Sequence, residues 1–179
     1  MIQEQRGTGR NVITALLCTA WLVTFEAAAA TAPIKLALFD FELEDFSAAS
    51  SSADAASSDA AHLANVTEMV RQLFVQSERY RLIDIESVKA PAVRTHTLRD
   101  CNGCDADIAL QAGAEQSLVG VVSRISRTEY VVKFQVRDAQ TGAVVAAADS
   151  GLRMGADYSW SRGATRLIKE QLLESRLER

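Results

Sequence analysis

The clearest alternation of apolar and polar positions runs from residue 128 to residue 138. There Tyr130, Val132, Phe134 and Val136 are separated by single residues that are mostly polar or charged. A period of two predicts a strand with one face on a core. Strands are also predicted at 115–126 and 143–149. The turn-like segment at 138–142 joins the second and third of these strands, so the three form a meander.

The region before the meander reads as a strand, a helix and a second strand. Residues 34–41 are almost continuously apolar, which is typical of a central strand. Apolar residues at three-to-four spacing then predict a helix up to about residue 77, and residues 80–85 predict the second strand. This order favours a right-handed parallel crossover.

Two more helices complete the predicted fold, one at 105–112 and one at about 158–177. We therefore predict a single α/β domain in the order β-α-β-α-β-β-β-α. Its mixed sheet has about five strands, with helices packed on it. The Ser-, Ala- and Asp-rich stretch at about 44–58 cannot bury apolar area and is predicted to be a mobile loop, with Ser58 or Asp59 capping the following helix.

The amino-terminal segment has the three parts of a secretory signal peptide. Arg6 and Arg10 precede an apolar run at 12–25, and small residues follow at 27–32. The run is shorter than the roughly 20 residues that a spanning helix needs. We predict a cleavable signal peptide at 1–30, a mature domain at 33–179 and a periplasmic location. No later segment is apolar enough to span a membrane.

Charge and motifs exclude several functional classes. A net charge of −4 argues against nucleic-acid binding, which requires a basic surface. No nucleophile elbow, zinc-protease motif or phosphate-binding loop is present. We predict no enzymatic activity and no cofactor. A weaker alternative is a small enzyme that uses Asp40 and Glu42 at a strand end, which would require a pocket lined by both side chains.

Cys101-Asn-Gly-Cys104 is the strongest chemical motif, and it allows three interpretations. The favoured one is a structural disulfide that closes a tight turn. A redox dithiol is disfavoured, because acidic neighbours oppose thiolate formation. A metal site formed by Asp100, Cys101, Cys104 and His96 is the weakest interpretation, since two cysteines supply half a tetrahedral shell.

Several segments carry a family resemblance. Residues 34–42, 70–84 and 112–122 are similar to the α/β domains of the TolB amino-terminal and curli-secretion (CsgG-like) type. The Cys-x-x-Cys motif and residues 125–130 resemble a group of uncharacterised bacterial secreted proteins, a domain of unknown function. Proteins of that group are associated with periplasmic quinoprotein alcohol dehydrogenase systems. The resemblance implies such a setting but carries over no catalytic residue.

We therefore predict a non-enzymatic periplasmic accessory or binding domain that acts through a protein partner. An open sheet edge is a natural place for a partner strand to add. The alternative function is a periplasmic thiol-disulfide or metal-handling protein centred on Cys101 and Cys104.

Overall fold

The computed structural model describes residues 32–47, 53–85, 88 and 97–174. The predicted signal peptide lies outside the described residues. The described residues form seven strands: β1 Ile34–Leu38, β2 Glu42–Asp45, β3 Tyr80–Leu82, β4 Gln116–Ser126, β5 Glu129–Asp138, β6 Val144–Asp149 and β7 Arg153–Met154. They also form three α-helices: α1 Ala53–Val75, α2 Cys104–Gln111 and α3 Trp160–Ile168.

The strands form one mixed sheet in the order β3-β1-β4-β5-β6. β1 is parallel to β3 and β4, whereas β4, β5 and β6 pair antiparallel as the predicted meander. The two short strands extend this frame: β2 pairs with the end of β4, and β7 pairs with the start of β5. The predicted fold class, an α/β domain with a mixed sheet, is confirmed.

The main core lies between one face of the sheet and helices α1 and α3. The apolar stripe of α1 buries Val66, Val70 and Phe74 because these residues recur at helical spacing. They pack against inward-facing strand residues and against Trp160 of α3, which is 1% exposed. This face therefore supplies most of the hydrophobic stabilisation.

The link between β1 and β2 is held by a close approach to Gly120 in β4. The ring of Phe41 occupies the space that a Cβ at Gly120 would need. The backbone N–H of Phe41 also donates a hydrogen bond of 2.9 Å to Thr67 Oγ1 on α1. These contacts fix where β2 starts relative to β4.

A smaller core lies on the second face of the sheet. Here α2 and the 3₁₀ turn Leu98–Asp100 cover Ala37, Phe39 and Val119 at one end of the strands. The covering stops short of β6, because α2 has only eight residues.

Several predicted boundaries were wrong. β2 and the first turns of α1 occupy parts of the segment predicted as a loop at about 44–58, and α1 begins at Ala53 rather than at Ser58 or Asp59. Residues 48–52 of that segment lie outside the described residues. α3 ends at Ile168 and continues as a π-helical turn, Lys169–Glu174.

Candidate functional site

The two cysteines lie at the start of α2, in a turn that their intervening residues make possible. Asn102 and Gly103 have positive φ angles of 48° and 113°, a conformation that asparagine and glycine adopt most readily. The turn brings Cys101 Sγ and Cys104 Sγ to disulfide-bonding distance, with their Cα atoms 5.6 Å apart. Both side chains pack against the second core, so the motif braces this end of the open face.

An acidic residue next to the cysteines is anchored to the sheet. Asp105 is 3% exposed, accepts a 2.5 Å hydrogen bond from Ser117 Oγ, and lies 3.5 Å from Arg137 Nε. Because Ser117 and Arg137 belong to β4 and β5, this buried group ties the first turn of α2 to two strands. It gives the Cys-x-x-Cys turn a fixed position on the sheet.

Three of the four residues of the metal alternative, Asp100, Cys101 and Cys104, lie in the described part of the chain. Within the part of the chain that the structure describes, no three His, Cys, Asp or Glu side chains are grouped to hold a metal ion. Asp100 instead accepts a 2.5 Å hydrogen bond from Thr97 Oγ1. His96, the fourth member of that proposed set, lies outside the described residues.

Of the two acids after β1 that an enzyme would use, Glu42 is held by contacts with the turn at 98–100. Glu42 accepts hydrogen bonds from the backbone N–H of Leu98 at 2.5 Å and from Arg99 Nη1 at 3.2 Å. Asp40 instead borders a separate cavity lined by Leu63, Thr67 and Arg71. Among the described residues, the cavity that Asp40 borders is not lined by Glu42.

Glu44 points to the open face of the sheet. Its carboxylate accepts hydrogen bonds from Ser123 Oγ at 2.7 Å and from Lys133 Nζ at 3.2 Å. The hydrogen bond from Ser123 and then the positive charge of Lys133 lower the pKa of Glu44 against the opposing effect of burial.

On the helix-covered side, Arg124 joins four parts of the chain. Its guanidinium pairs with Asp45 and Asp157, at 3.0 and 3.2 Å, and with Asp59, and it lies 5.0 Å from the ring centroid of Trp160. The hydrogen bond with Asp59 is the main cause that raises the pKa of Arg124. Sequence analysis missed this residue, because its carboxylate partners lie 33 to 79 positions away.

The open face carries a shallow groove of about 480 Å³. Its floor is made by outward-facing residues of three neighbouring strands, in the cross-strand rows Val121–Lys133–Asp149 and Val119–Gln135–Ala147. Glu44, Arg99 and Asp100 form one wall. The floor of the groove thus combines apolar, amide and charged side chains, and charges of both signs line its wall.

β6 forms one edge of the sheet, directly beside the groove. Among the described residues, no strand pairs with its outer side. The strand reads Val-Val-Ala-Ala-Ala-Asp, and Val144 and Val145 are 46% and 39% exposed. After residues 150–152, β7 continues along the same side of β5, with Met154 exposed. The edge from Val144 to Met154, together with the groove, is our candidate functional site, the β6–β7 edge.

Comparison with known families assigns the chain to a group. A family model described as a protein of unknown function (DUF2380) matches residues 34–172, and the chain belongs to this family. The prediction of an uncharacterised family is confirmed. A search of curated proteins by sequence finds no match.

Solved structures with a similar chain course come from several bacteria. The LpoB C-terminal domain from Salmonella enterica is 17% identical, with 72% of this chain and 87% of that chain covered and a TM-score of 0.47. PelC, a dodecamer from Paraburkholderia phytofirmans, is 21% identical over 79% and 86%, with a TM-score of 0.42. TolB from Acinetobacter baumannii is 14% identical over 77% of this chain and 28% of that chain, with a TM-score of 0.42.

None of the described helices combines the length and the apolar character required to cross a bilayer.

Proposed function

We propose that this protein is a non-enzymatic accessory domain that binds a protein partner by adding a strand of that partner to the β6–β7 edge. The observation that carries this proposal is the outer side of β6, with which none of the described strands pairs, so that its backbone N–H and C=O groups are presented to an extended chain.

The sequence of β6 supports this use of the edge. Natural edge strands are usually protected by lysine, proline or inward-pointing charge. Residues 144–148 contain neither charge nor proline, and the three alanines leave room for a neighbouring backbone. The edge therefore lacks the features that would keep another strand away.

The groove supplies a basis for selectivity. Side chains of an added strand would alternate between the two faces of the sheet, so every second one would lie on the groove side. There they would meet Ala147 and Asp149 first and Lys133 beyond them. A partner strand with apolar residues and a complementary charge at this spacing fits the surface.

The amino-terminal sequence indicates the cellular compartment in which this binding would take place. The signal-peptide pattern at 1–30 supports a periplasmic location for this domain and its partner. The resemblance to proteins associated with quinoprotein alcohol dehydrogenases makes those periplasmic systems the first in which to seek the partner.

The test is quantitative cross-linking in cells, with a matched pair of variants. The double variant Val144→Lys/Val145→Lys places two charges on the edge, and Val75→Lys places lysine at an exposed valine at the end of α1. We expect the edge variant to lose the partner cross-link at wild-type protein levels and the α1 variant to retain it. Equal cross-linking in all three proteins, or no partner with any of them, would overturn the proposal.

A further inference from the structure

The hydrogen bonds between β5 and β6 decide which backbone groups of β6 are left for a partner. In an antiparallel pair, successive residues of a strand direct their N–H and C=O groups to opposite sides. The N–H of Ser150 donates to the carbonyl of Val132 at 2.9 Å, and Ala148 and Ala146 precede Ser150 by two and four residues in the same register. The backbone groups of these three residues therefore point to β5.

Ala147 and Asp149 direct their backbone groups the other way, to the outer side of β6. The pairing of β5 with β4 gives the same result, because the N–H of Ala139 donates to the carbonyl of Glu115 at 2.9 Å and so fixes which residues of β5 face β4. Among the described residues, no strand pairs with this outer side. An added strand would thus exchange hydrogen bonds with Ala147 and Asp149.

The side chains of the same two residues lie on the groove side of the sheet. Ala147 is in line with Gln135, and Asp149 is in line with Lys133. In an antiparallel pair, a residue that exchanges hydrogen bonds with another lies directly opposite it, with the Cα atoms about 5.5 Å apart and both side chains on one face. Ala147 and Asp149 therefore contact the partner side chains at two positions that are two residues apart.

The Asp149 carboxylate has no cationic partner within the described part of the chain. It is exposed and accepts a hydrogen bond of 2.8 Å from the N–H of Gly151. None of the ion pairs formed among the described residues includes it. Lys133, its neighbour across the sheet, donates instead to Glu44 at 3.2 Å.

The other basic side chains of β5 and β7 are held elsewhere. Arg137 lies near α2, with its Nε 3.5 Å from Asp105. Arg153 is opposite Tyr130, whose side chain is buried in the main core, so Arg153 lies on the other face of the sheet. The charged side chains that line the groove are three acids and two bases: Glu44, Asp100, Asp149, Arg99 and Lys133. The groove beside β6 is therefore negative on balance.

We propose that the partner strand adds antiparallel to β6, with a lysine or arginine opposite Asp149 and a large apolar side chain opposite Ala147, two residues later. This inference rests on the proposed function and specifies the chemistry of its partner. The cation would meet a carboxylate that lacks one, and the apolar side chain would fill the space beside a methyl group. Antiparallel addition continues the meander and is slightly more stable per residue than parallel addition.

The experiment is selection from a library of random dodecapeptides displayed on phage, with the immobilised full-length protein as the target. We expect enriched peptides to carry a basic residue two positions before a large apolar one. Asp149→Lys should change the basic residue of this pattern to an acidic one, and Ala147→Phe should change the large apolar residue to a small one. Asp107→Lys, which makes the same charge change at an exposed position of α2, should retain the wild-type pattern.

An enriched peptide that contains lysine at this position, and its counterpart with glutamate there, measure the size of the effect. By fluorescence anisotropy, the lysine peptide should bind the wild type about fivefold more tightly. The order should reverse with Asp149→Lys and stay unchanged with Asp107→Lys. No enriched peptide, no basic preference, an apolar residue before the basic one, or the same response in the two lysine variants would each overturn the proposal.

The edge variant Val144→Lys/Val145→Lys distinguishes this proposal from the proposed function. Peptides that lose binding in the edge variant but show no preference for a basic residue would overturn only the chemistry inferred for the partner. Peptides that bind the edge variant as tightly as the wild type would overturn both, because they would not contact the β6–β7 edge.

Discussion

The two faces of the sheet differ in what they bury. On one face, α1 and α3 enclose large apolar side chains such as Phe74 and Trp160, whose exposure is 1% or less. On the other face, the eight-residue α2 and the Cys101–Cys104 turn cover only one end, and a mixture of apolar, amide and charged residues forms the floor of an open groove.

This difference gives the two faces of one sheet unequal shares in the stability of the fold. The covered face holds most of the area that drives folding, so its side chains are constrained by packing. The open face buries less apolar area, so packing constrains its side chains less. Substitutions of the same chemistry on the two faces should therefore have unequal effects on the free energy of unfolding.

The largest difference is expected for a matched pair of phenylalanines. Phe74→Ala removes a fully buried ring that packs edge-on against Tyr80, with ring centroids 5.2 Å apart, and should cost about 3–5 kcal/mol. Phe46→Ala, at an exposed ring, should change stability by about 0.5 kcal/mol or less. Urea denaturation of both variants measures this contrast, and similar losses would contradict it.

Next in size is the loss of Arg124. Arg124→Ala leaves Asp59 and two further carboxylates without their shared cation and removes the contact with Trp160, at an expected cost of about 3 kcal/mol. Arg166→Ala, which breaks an exposed pair between α3 and Glu170 of the following π-helical turn, should cost about 0.5 kcal/mol. Guanidinium denaturation midpoints test this ranking, which fails if the two variants are equally stable.

Removal of the Cys101–Cys104 link should have a smaller effect, confined to the partly covered end of the open face. For so short a loop, reduction is expected to cost about 2 kcal/mol. The reduction potential separates the two functions considered for this pair. We expect a value below about −300 mV, typical of a structural bridge, whereas a value between about −200 and −120 mV would indicate an oxidant.

The smallest expected effect is the dependence of stability on pH through Glu44 in the groove. The pKa of its carboxyl is lowered from 4.5 in the folded protein, chiefly by the hydrogen bond from Ser123. Its stabilising contribution is therefore complete above that value and is lost as the pH falls through the lower folded pKa.

Glu44→Gln should accordingly be less stable than the wild type at neutral pH, and the gap should close in acid. Urea titrations at several pH values measure the gap, and Ser123→Ala should reproduce part of it. Parallel stability curves for wild type and Glu44→Gln would show that this carboxylate does not contribute in the expected way.

The meander and the apolar face of α1 could be predicted from sequence, because the pattern of apolar residues that specifies each strand or helix lies within that element. Alternation at Tyr130–Val136 and the helical spacing of Val66, Val70 and Phe74 each reflect one face of one element. The start of α1 was missed because its Ser- and Ala-rich first turns carry no apolar stripe, although alanine favours the helical backbone. β2 and β7 were missed because they have four and two residues.

Most of the candidate site could not be predicted from sequence, because it is formed by strands that are distant along the chain. The Cys-x-x-Cys turn is a short motif and was visible. By contrast, the groove and the partners of Arg124 arise only when β2, β4, β5 and β6 are laid side by side. An unpaired edge depends on the order of strands in space, which local periodicity does not specify.

The position of β4 between a parallel and an antiparallel neighbour has a consequence for folding kinetics. Pairing with β5 needs only the closure of a tight hairpin, whereas pairing with β1 closes a loop that includes α1, β3 and α2. Loop-closure entropy and contact order favour the hairpin first. We therefore expect the carboxyl-terminal hairpin to fold first and to act as the template for the amino-terminal half. β1 then pairs only after β4, which is synthesised long after it, has formed.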